Sequence, residues 1–297
     1  MAGQHSLFLI KPDGVERQLQ QAVVEAAQEA GLAVVCRHRL RLDEEEVVQA
    51  WADTRRTEHP LEHLSLDLWY GGRPMEMLVV RGPEALTQAD RVKSRVRAAY
   101  RLGPFANVLH TPDHTGEFDL QLSVFGRGCS TCSALVETDF GDYATVPQAY
   151  PPGTLLPDAW RDIDLLRKQV QPLWDDPSSC FWRPTYPAPY RGETPAGPRD
   201  HALYIAASPH QLSFDNLVGA LLTALPEIGF SHALELIISA LHHRDFTLAV
   251  GTAEECERYR GALMAQGLNT PIRTLAQDSL RREAQMESAG LTDFPAA

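Results

Sequence analysis

Hydrophobic and polar positions divide the first 110 residues into strand patterns and helix patterns that alternate. The strand patterns are residues 6–11, 32–42, 75–81 and 107–110. The helix patterns are residues 18–30, 43–51 and 83–92. Gly31 follows the first helix as a C-terminal cap, and Asp43 with Glu46 forms a capping box for the second. The order β-α-β-α-β-α-β predicts an α+β fold with a ferredoxin-like, split βαβ sheet.

Regular patterning returns over residues 201–276 as strand, helix, helix, strand, helix, strand. Ser213 and Ser231 are typical N-caps for the first two of these helices. Thr252 and Glu255 form a capping box for the third. We therefore expect a small compact βααβαβ domain, followed by a polar tail after about residue 277.

The stretch between these two regions is rich in both proline and aromatic residues. Eleven of the 21 prolines lie between Pro147 and Pro198. A floppy linker would be poor in aromatic residues, but this stretch contains many of them. We interpret it as an ordered connector with one helix, from Pro157 to about Val170. The predicted division is 1–126, 127–200 and 201–297.

Composition limits the classes of function. A net charge of −12 argues against nucleic-acid binding, which needs clustered Lys and Arg. No apolar run approaches the 18 or so residues of a membrane span, and the N-terminal residues do not have the pattern of a signal peptide. Five cysteines in 297 residues do not form a disulfide framework, so we expect a reducing, cytoplasmic location.

Cys129 and Cys132 form a C-S-T-C motif that is open to more than one interpretation. A zinc site needs four ligands, and the other cysteines, Cys36, Cys180 and Cys256, are scattered. Cys180 is a candidate third ligand. The spacing alone favours a pair of incidental, half-buried thiols, and we expect no metal held by protein ligands.

Four stretches carry the chemical signal, and their order matters more than any one of them. They are KPDG at 11–14, GGRPMEMLVVRG at 71–82, ADRVKSRVRAAY at 89–100, and NVLHTPDH at 107–114. In this order they resemble nucleoside diphosphate kinases, most closely a divergent branch with a short central loop. The resemblance covers residues 6–125.

The resemblance implies a phosphohistidine relay at His110. That residue would take the γ-phosphoryl group of a nucleoside triphosphate and pass it to a diphosphate, with Asn107 on the ribose. Lys11, Arg91 and Arg97 align with basic residues that face the phosphates, and Mg²⁺ is implied with the nucleotide. A neutral imidazole is a good nucleophile at pH 7, and the arginine fork binds phosphate oxygens in pairs.

The same residues have an ordinary structural explanation. A single histidine at a strand end is usually a hydrogen-bonded surface residue. Arg91 and Arg97 would then be helix-surface charges that contribute little. The combination of the four stretches favours the site over this alternative.

Several positions depart from the pattern of the family. Thr111, Pro112 and Asp113 replace Gly-Ser-Asp, so the serine hydroxyl is absent. Gln121 stands where the family has a glutamate that orients the imidazole, and Asp119 substitutes only if the alignment slips by two residues.

Two further departures concern the base and the assembly. Leu61 aligns with the base-stacking aromatic residue, and Trp51 with a tyrosine that touches the active site. The segment between Arg91 and Arg97 is shortened, which argues against the family's hexamer and leaves a homodimer open.

Residues 201–276 resemble the ClpS adaptor, a family that binds the N-terminal residue of proteins destined for proteolysis. The clearest stretches are ALELIISALHH and FTLAVGTAEECERYRGAL. The ligand-clamp position reads AASPHQ at 206–211, without a carboxylate, and His242 matches a histidine near the pocket. We expect a ClpS-like scaffold without the usual peptide specificity, with a protein partner left open.

Two hypotheses follow from the sequence. The first is a nucleoside diphosphate kinase-type phosphotransferase that acts through His110, with a nucleotide or another molecule as acceptor. The second is a catalytically reduced adaptor that binds nucleotide or protein on kinase-like and ClpS-like scaffolds.

Overall fold

A computed structural model describes residues 5–52, 69–103, 105–135, 189–192, 197–206, 214–242 and 245–277. The chain divides into two compact units, Met1–Tyr186 and Pro187–Ala297. The boundary between them falls inside the predicted connector, 127–200. The helix predicted from Pro157 to Val170, the ClpS-like stretch 207–211 and the tail after residue 277 lie outside the described residues.

The first unit is built on a four-stranded antiparallel sheet. Its strands are β1 (His5–Ile10), β2 (Ala33–Leu40), β3 (Met75–Arg81) and β4 (Leu109–His110). Its helices are α1 (Pro12–Glu16), α2 (Gln20–Glu29), α3 (Glu44–Ala50), α4 (Ala85–Tyr100), α5 (Thr115–Phe125) and α6 (Ser130–Ser133). The strand order is β2-β3-β1-β4, with antiparallel pairing throughout. The ferredoxin-like fold predicted for this part of the chain is confirmed.

The core lies between this sheet and the helices α2 and α4. Phe8 and Leu78 of the central strands are fully buried. They pack with Val23 of α2 and with Val92 and Val96 of α4. Burial of these side chains stabilises the sheet by about 1.5–3 kcal/mol each. The short strand β4 is therefore held against a rigid neighbour, β1.

The observed helices differ from the predicted ones at three places. Pro12 begins a short helix, α1, which is not among the helices predicted from the sequence. The helix that starts at Ala85 continues to Tyr100, beyond the predicted end at Val92, because Val96 extends its buried stripe. Helix α5 was not predicted. Its N-cap is His114, whose Nδ1 accepts a hydrogen bond from the Glu117 N–H at 3.1 Å.

The two predicted capping boxes are present. The Asp43 carboxylate accepts from the Glu46 N–H at 2.8 Å, and the Glu46 carboxylate accepts from the Asp43 N–H at 3.0 Å. Thr252 and Glu255 make the same reciprocal pair. Each box satisfies two backbone donors that a helix start leaves free.

The second unit contains another four-stranded sheet. Its strands are β5 (Tyr190–Arg191), β6 (His201–Ala206), β7 (Asp245–Gly251) and β8 (Ile272–Thr274), in the order β5-β7-β6-β8. Its helices are α7 (Phe214–Ala224), α8 (Phe230–His242) and α9 (Ala253–Ala265). Residues 201–276 thus have the predicted element order, and β5 adds a parallel strand beside β7. The ClpS resemblance of this unit, including the role of His242, stays a prediction.

Among the residues that the structure describes, no helix combines the length and the apolar character needed to cross a membrane.

Candidate active site

His110 ends β4, paired with Leu9 of the central strand β1. Its side chain is 15% exposed, and its Nε2 lies 2.9 Å from Oε1 of Gln121. The Gln121 amide nitrogen donates to Glu117 Oε1 at 2.8 Å and to the Ala50 carbonyl at 3.4 Å. Because the Glu117 and Ala50 oxygens both accept hydrogen bonds from the Gln121 nitrogen, the other amide atom, the Gln121 oxygen, faces His110. Nε2 of His110 therefore donates the proton, and Nδ1 carries the lone pair of the neutral ring.

A carboxylate stands behind this amide, one helical turn earlier on α5. Glu117 Oε1 lies 3.5 Å from His110 Nε2, and Oε2 accepts from the Asp113 N–H at 2.7 Å. Burial raises the pKa of Glu117 above its ordinary value. The position aligned with the family's glutamate is thus an amide, and Glu117 supplies the acidic group of the site.

The histidine is held in its neutral form. Burial lowers the pKa of His110 to about 3, against the opposing effect of the Gln121 hydrogen bond. The positive charges of Arg97 and Lys93 lower it further. A ring with this pKa is uncharged near neutral pH and is available as a nucleophile.

The cations near His110 come from one face of α4. Lys93 Nζ lies 3.0 Å from Asp113 Oδ1, and Arg97 donates from Nε to the Leu109 carbonyl at 2.8 Å. Burial of Asp113 is outweighed by the bond to Lys93, so that the pKa of this carboxyl lies below its ordinary value. Positions 93 and 97 are four apart and share a helix face.

Arg91 does not belong to that face. Its side chain is exposed, and it lies two residues before Lys93, about 200° around the helix axis. The expectation that Arg91 and Arg97 together face the phosphates is therefore corrected. Lys93 and Arg97 form the pair that shares the His110 side of α4.

The KPDG segment packs directly against the segment that precedes His110. Asp13 accepts the Val108 N–H at 2.8 Å, and the Lys11 N–H donates to the Val108 carbonyl at 2.9 Å. Val108 has a φ of 62°, a strained backbone for a β-branched residue. A Cβ on Gly14 would lie 2.9 Å from the Val108 oxygen, so glycine permits this close approach.

Lys11 reaches from this segment into a buried, oxygen-lined position. Its ammonium group donates to the Phe105 carbonyl and, at 3.0 Å, to the Asn107 side-chain oxygen. It also lies 5.4 Å from the ring centre of Tyr70 and 5.9 Å from that of Trp69. The two residues predicted to face phosphate and ribose, Lys11 and Asn107, are thus in mutual contact.

Trp51 forms the aromatic wall of the site. Its ring meets the His110 ring edge-on at 5.7 Å and stacks on Tyr70 at 4.3 Å. Burial raises the pKa of the Tyr70 hydroxyl well above its ordinary value. Trp51 thus lies beside His110, with Tyr70 stacked on its ring, and its part in an active site stays a prediction.

Asp119 and Leu61 are two further residues predicted for the site. Asp119 precedes Gln121 by two helix positions and points to another face of α5, so the carboxylate beside His110 is Glu117. Leu61 lies outside the described residues. Thr111 is fully buried, and its hydroxyl has no hydrogen-bond partner among the described residues.

Sequence reasoning missed Glu117 and Lys93, although a local signal existed for each. Glu117 precedes Gln121 by four residues, a spacing that becomes informative once α5 is known to be a helix. Lys93 lay just beyond the predicted end of α4, and Lys93 with Arg97 has the same spacing of four.

The fold and this arrangement define a ferredoxin-like domain with a buried, neutral histidine among cations. The family model for nucleoside diphosphate kinase matches residues 4–127. A nucleoside diphosphate kinase from Ignicoccus hospitalis is 26% identical over 136 residues, covering 42% of this chain and 89% of that protein. One from Thermobifida fusca is 28% identical over 132 residues, covering 41% and 96%.

Solved structures of similar proteins cover the same share of the chain. The Aquifex aeolicus nucleoside diphosphate kinase is 15% identical, covers 41% of this chain and 93% of its own, and has a TM-score of 0.36. The Borrelia burgdorferi enzyme with bound vanadate and ADP is 20% identical, covers 41% and 86%, and has a TM-score of 0.33.

Proposed function

We propose that residues 4–127 form a nucleoside diphosphate kinase-type phosphotransferase with His110 as the phosphate carrier. The observation that carries this proposal is the hydrogen bond from His110 Nε2 to the Gln121 oxygen at 2.9 Å. It fixes the tautomer that leaves the lone pair on Nδ1. Relatives named nucleoside diphosphate kinase support the same reaction class.

The reaction consists of two balanced half-reactions. In the first, the Nδ1 lone pair bonds to the γ-phosphorus, and the bond to the β,γ-bridging oxygen breaks. The nucleoside diphosphate leaves with that electron pair. In the second, a terminal oxygen of an acceptor diphosphate bonds to the same phosphorus, and the P–N bond breaks to restore the neutral ring.

Charge near the ring supports this transfer. A phosphoryl group in flight carries negative charge over its oxygens, and enzymes stabilise it mainly by positioned cations. Lys93 and Arg97 share one face of α4, and their positive charges lower the pKa of His110. Their positive charges repel a proton on the ring and attract the phosphate, so both effects favour nucleophilic attack.

The residues near His110 fit Mg²⁺ bound through the nucleotide. Asp113 is bonded to Lys93, and Glu117 accepts from Gln121 and from the Asp113 N–H. These carboxylates do not form a cage of free oxygens, whereas Mg²⁺ commonly binds phosphates with few protein ligands. When bound, the ion would neutralise part of the phosphate charge.

One observation favours the alternative, a domain that binds nucleotide or protein with reduced catalysis. The residue Lys11 is 4% exposed, and its ammonium group donates hydrogen bonds to Phe105 and Asn107. In this conformation the Lys11 ammonium group is bonded to protein oxygens, whereas the proposed reaction would need it to bind phosphate. A catalytic site requires that phosphate displace one of these bonds.

The test is transfer of phosphate from ATP to GDP by the full chain, with Mg²⁺ present. We expect GTP to form, and His110→Ala to abolish its formation. His201→Ala is the matched control, because His201 is a half-buried histidine of the second unit and not of α5. A chain that ATP and GDP stabilise against heat without any GTP being made would instead support the alternative.

A further inference from the structure

Three cysteines that are far apart in the sequence meet at one end of the first unit. Cys36 lies on β2, Cys129 directly precedes α6, and Cys132 lies within α6. The Sγ atom of Cys36 lies 3.4 Å from that of Cys129 and 3.1 Å from that of Cys132. All three sulfur atoms lie within 4.8 Å of one another. Cys36 is thus a third thiol beside the C-S-T-C pair, and Cys180, the candidate named from the sequence, lies outside the described residues.

The turn around Cys129 brings these sulfur atoms close together. Its N–H donates to the Gly126 carbonyl at 3.0 Å. A Cβ on Gly126 would lie 2.6 Å from Cys132 Cβ, so glycine is needed there. The absence of a side chain at Gly126 thus lets α6 bring Cys132 close to the end of α5.

We propose that Cys36, Cys129 and Cys132 bind one zinc ion. Three sulfur ligands supply three of the four positions of a tetrahedral site. With Zn–S bonds of about 2.3 Å, the sulfurs stand roughly 3.8 Å apart, so the two observed pairs must open by about 0.4 and 0.7 Å. Cys36 and Cys132 are buried and Cys129 is half-buried. A water molecule or a further protein ligand would complete the site.

Zinc fits this donor set better than the other common outcomes. Mg²⁺ and Ca²⁺ prefer oxygen ligands, whereas thiolates select Zn²⁺ and other soft ions. A disulfide would join two of the sulfurs and leave the third as a buried thiol. A single metal site accounts for all three thiols, whereas a disulfide accounts for two.

The ion would fasten β2 to the segment that follows α5. Cys36 and Cys129 are separated by 93 positions in the sequence. Helix α5 carries Glu117 and Gln121, which orient His110. The proposed role is therefore structural: bound zinc holds the end of the helix that supports the candidate active site.

The direct experiment is a metal titration of the untagged full chain, reduced and freed of metal by a chelator. Zn²⁺ added in competition with a chromophoric chelator is expected to bind at one equivalent. Cys36→Ser and Cys129→Ser should each weaken binding at least tenfold. Cys256→Ser is the matched control, because Cys256 is a buried cysteine of the second unit, and it should leave binding unchanged.

Measurements on the unchanged chain keep the proposal testable if a variant does not fold. Co²⁺ should give visible bands of tetrahedral coordination and a near-ultraviolet sulfur-to-cobalt band. Zn²⁺ should raise the melting temperature and slow alkylation of Cys129. A reduced chain that binds neither ion, or that binds zinc equally in the Cys36 and Cys129 variants, would overturn the proposal. So would equal loss of binding in Cys256→Ser.

Discussion

At the scale of single residues, the candidate site depends on which group accepts the hydrogen bond from His110 Nε2. Gln121 receives that proton through a neutral oxygen, and Glu117 in turn accepts from the Gln121 amide at 2.8 Å. An amide stabilises an imidazolium less than a carboxylate does. This difference agrees with the low pKa of His110, which burial sets and the Gln121 bond only partly opposes.

Gln121→Leu tests this hydrogen bond. The substitution removes the acceptor, so the proton is no longer fixed on Nε2 and the buried N–H of His110 is left unpaired. A lost buried hydrogen bond costs about 1–3 kcal/mol, which predicts a fall in the phosphorylation rate of about tenfold or more. Asp119→Asn is the control, because Asp119 lies on another face of α5, and it should preserve the rate. Equal rates for the Leu variant and the wild type would contradict this role.

The titration of His110 gives a second prediction. An ordinary histidine, with a pKa near 6.5, gains a proton between pH 8 and 5, whereas His110 has a pKa of about 3. Its ring signal in an NMR titration, assigned by its loss in His110→Ala, should stay constant over that range. The unfolded chain binds this proton and the folded chain does not, so the site lowers stability as pH falls from 6.5 toward 3. A His110 signal with a midpoint near 6.5 would refute the buried, neutral ring.

At the scale of elements, α4 and α5 bring the charged groups to the end of β4. Helix α4 contributes Lys93 and Arg97, and α5 contributes Glu117 and Gln121. Both pairs are spaced by four residues, so each helix presents its pair on one face. The site is thus two helical faces that meet a strand end.

Substitutions on α4 test which face of that helix contributes to phosphoryl transfer. Lys93→Ala removes a charge that acts on His110 and should lower the phosphorylation rate about tenfold, because a positioned cation typically contributes more than 1 kcal/mol to such a transfer. Arg91→Ala removes the same charge from an exposed position of the same helix and should change the rate less than threefold. The reverse ranking would restore Arg91 as the phosphate-binding residue.

Gly14→Ala tests the contact between the KPDG segment and β4. The added Cβ would lie 2.9 Å from both the Val108 oxygen and Ile10 Cγ2. Overpacking of this kind costs about 1–3 kcal/mol, so the free energy of unfolding in urea should fall by that amount. Gly116→Ala is the control, since its Cβ would be 3.4 Å or more from its neighbours. An unchanged unfolding free energy in Gly14→Ala would show that the two segments are not tightly packed.

The sequence predicted the sheet of the first unit well, because its strands are apolar runs between clear caps. It failed for Glu117 and Lys93, since both depend on helix lengths that the pattern did not reveal. Val96 extended α4 through a polar stretch, and His114 is an unusual N-cap for α5. The contact of Cys36 with Cys129 follows from tertiary packing across 93 positions and has no local signal.

At the scale of the whole molecule, the chain joins a kinase-like unit to a second compact unit. The family match accounts for residues 4–127, and the described residues of the second unit form their own four-stranded sheet with helices α7, α8 and α9. The acceptor in the proposed phosphoryl transfer should therefore be tested with the full chain.

The most direct measurement is incubation of the full chain with γ-labelled ATP and Mg²⁺, beside His110→Ala and His201→Ala. The account predicts an acid-labile, base-stable label that is present in the wild type and in His201→Ala, and absent in His110→Ala. A wild-type chain that stays unlabelled, with its fold intact by circular dichroism, would contradict it. The first unit would then be a binding domain on a kinase-like scaffold.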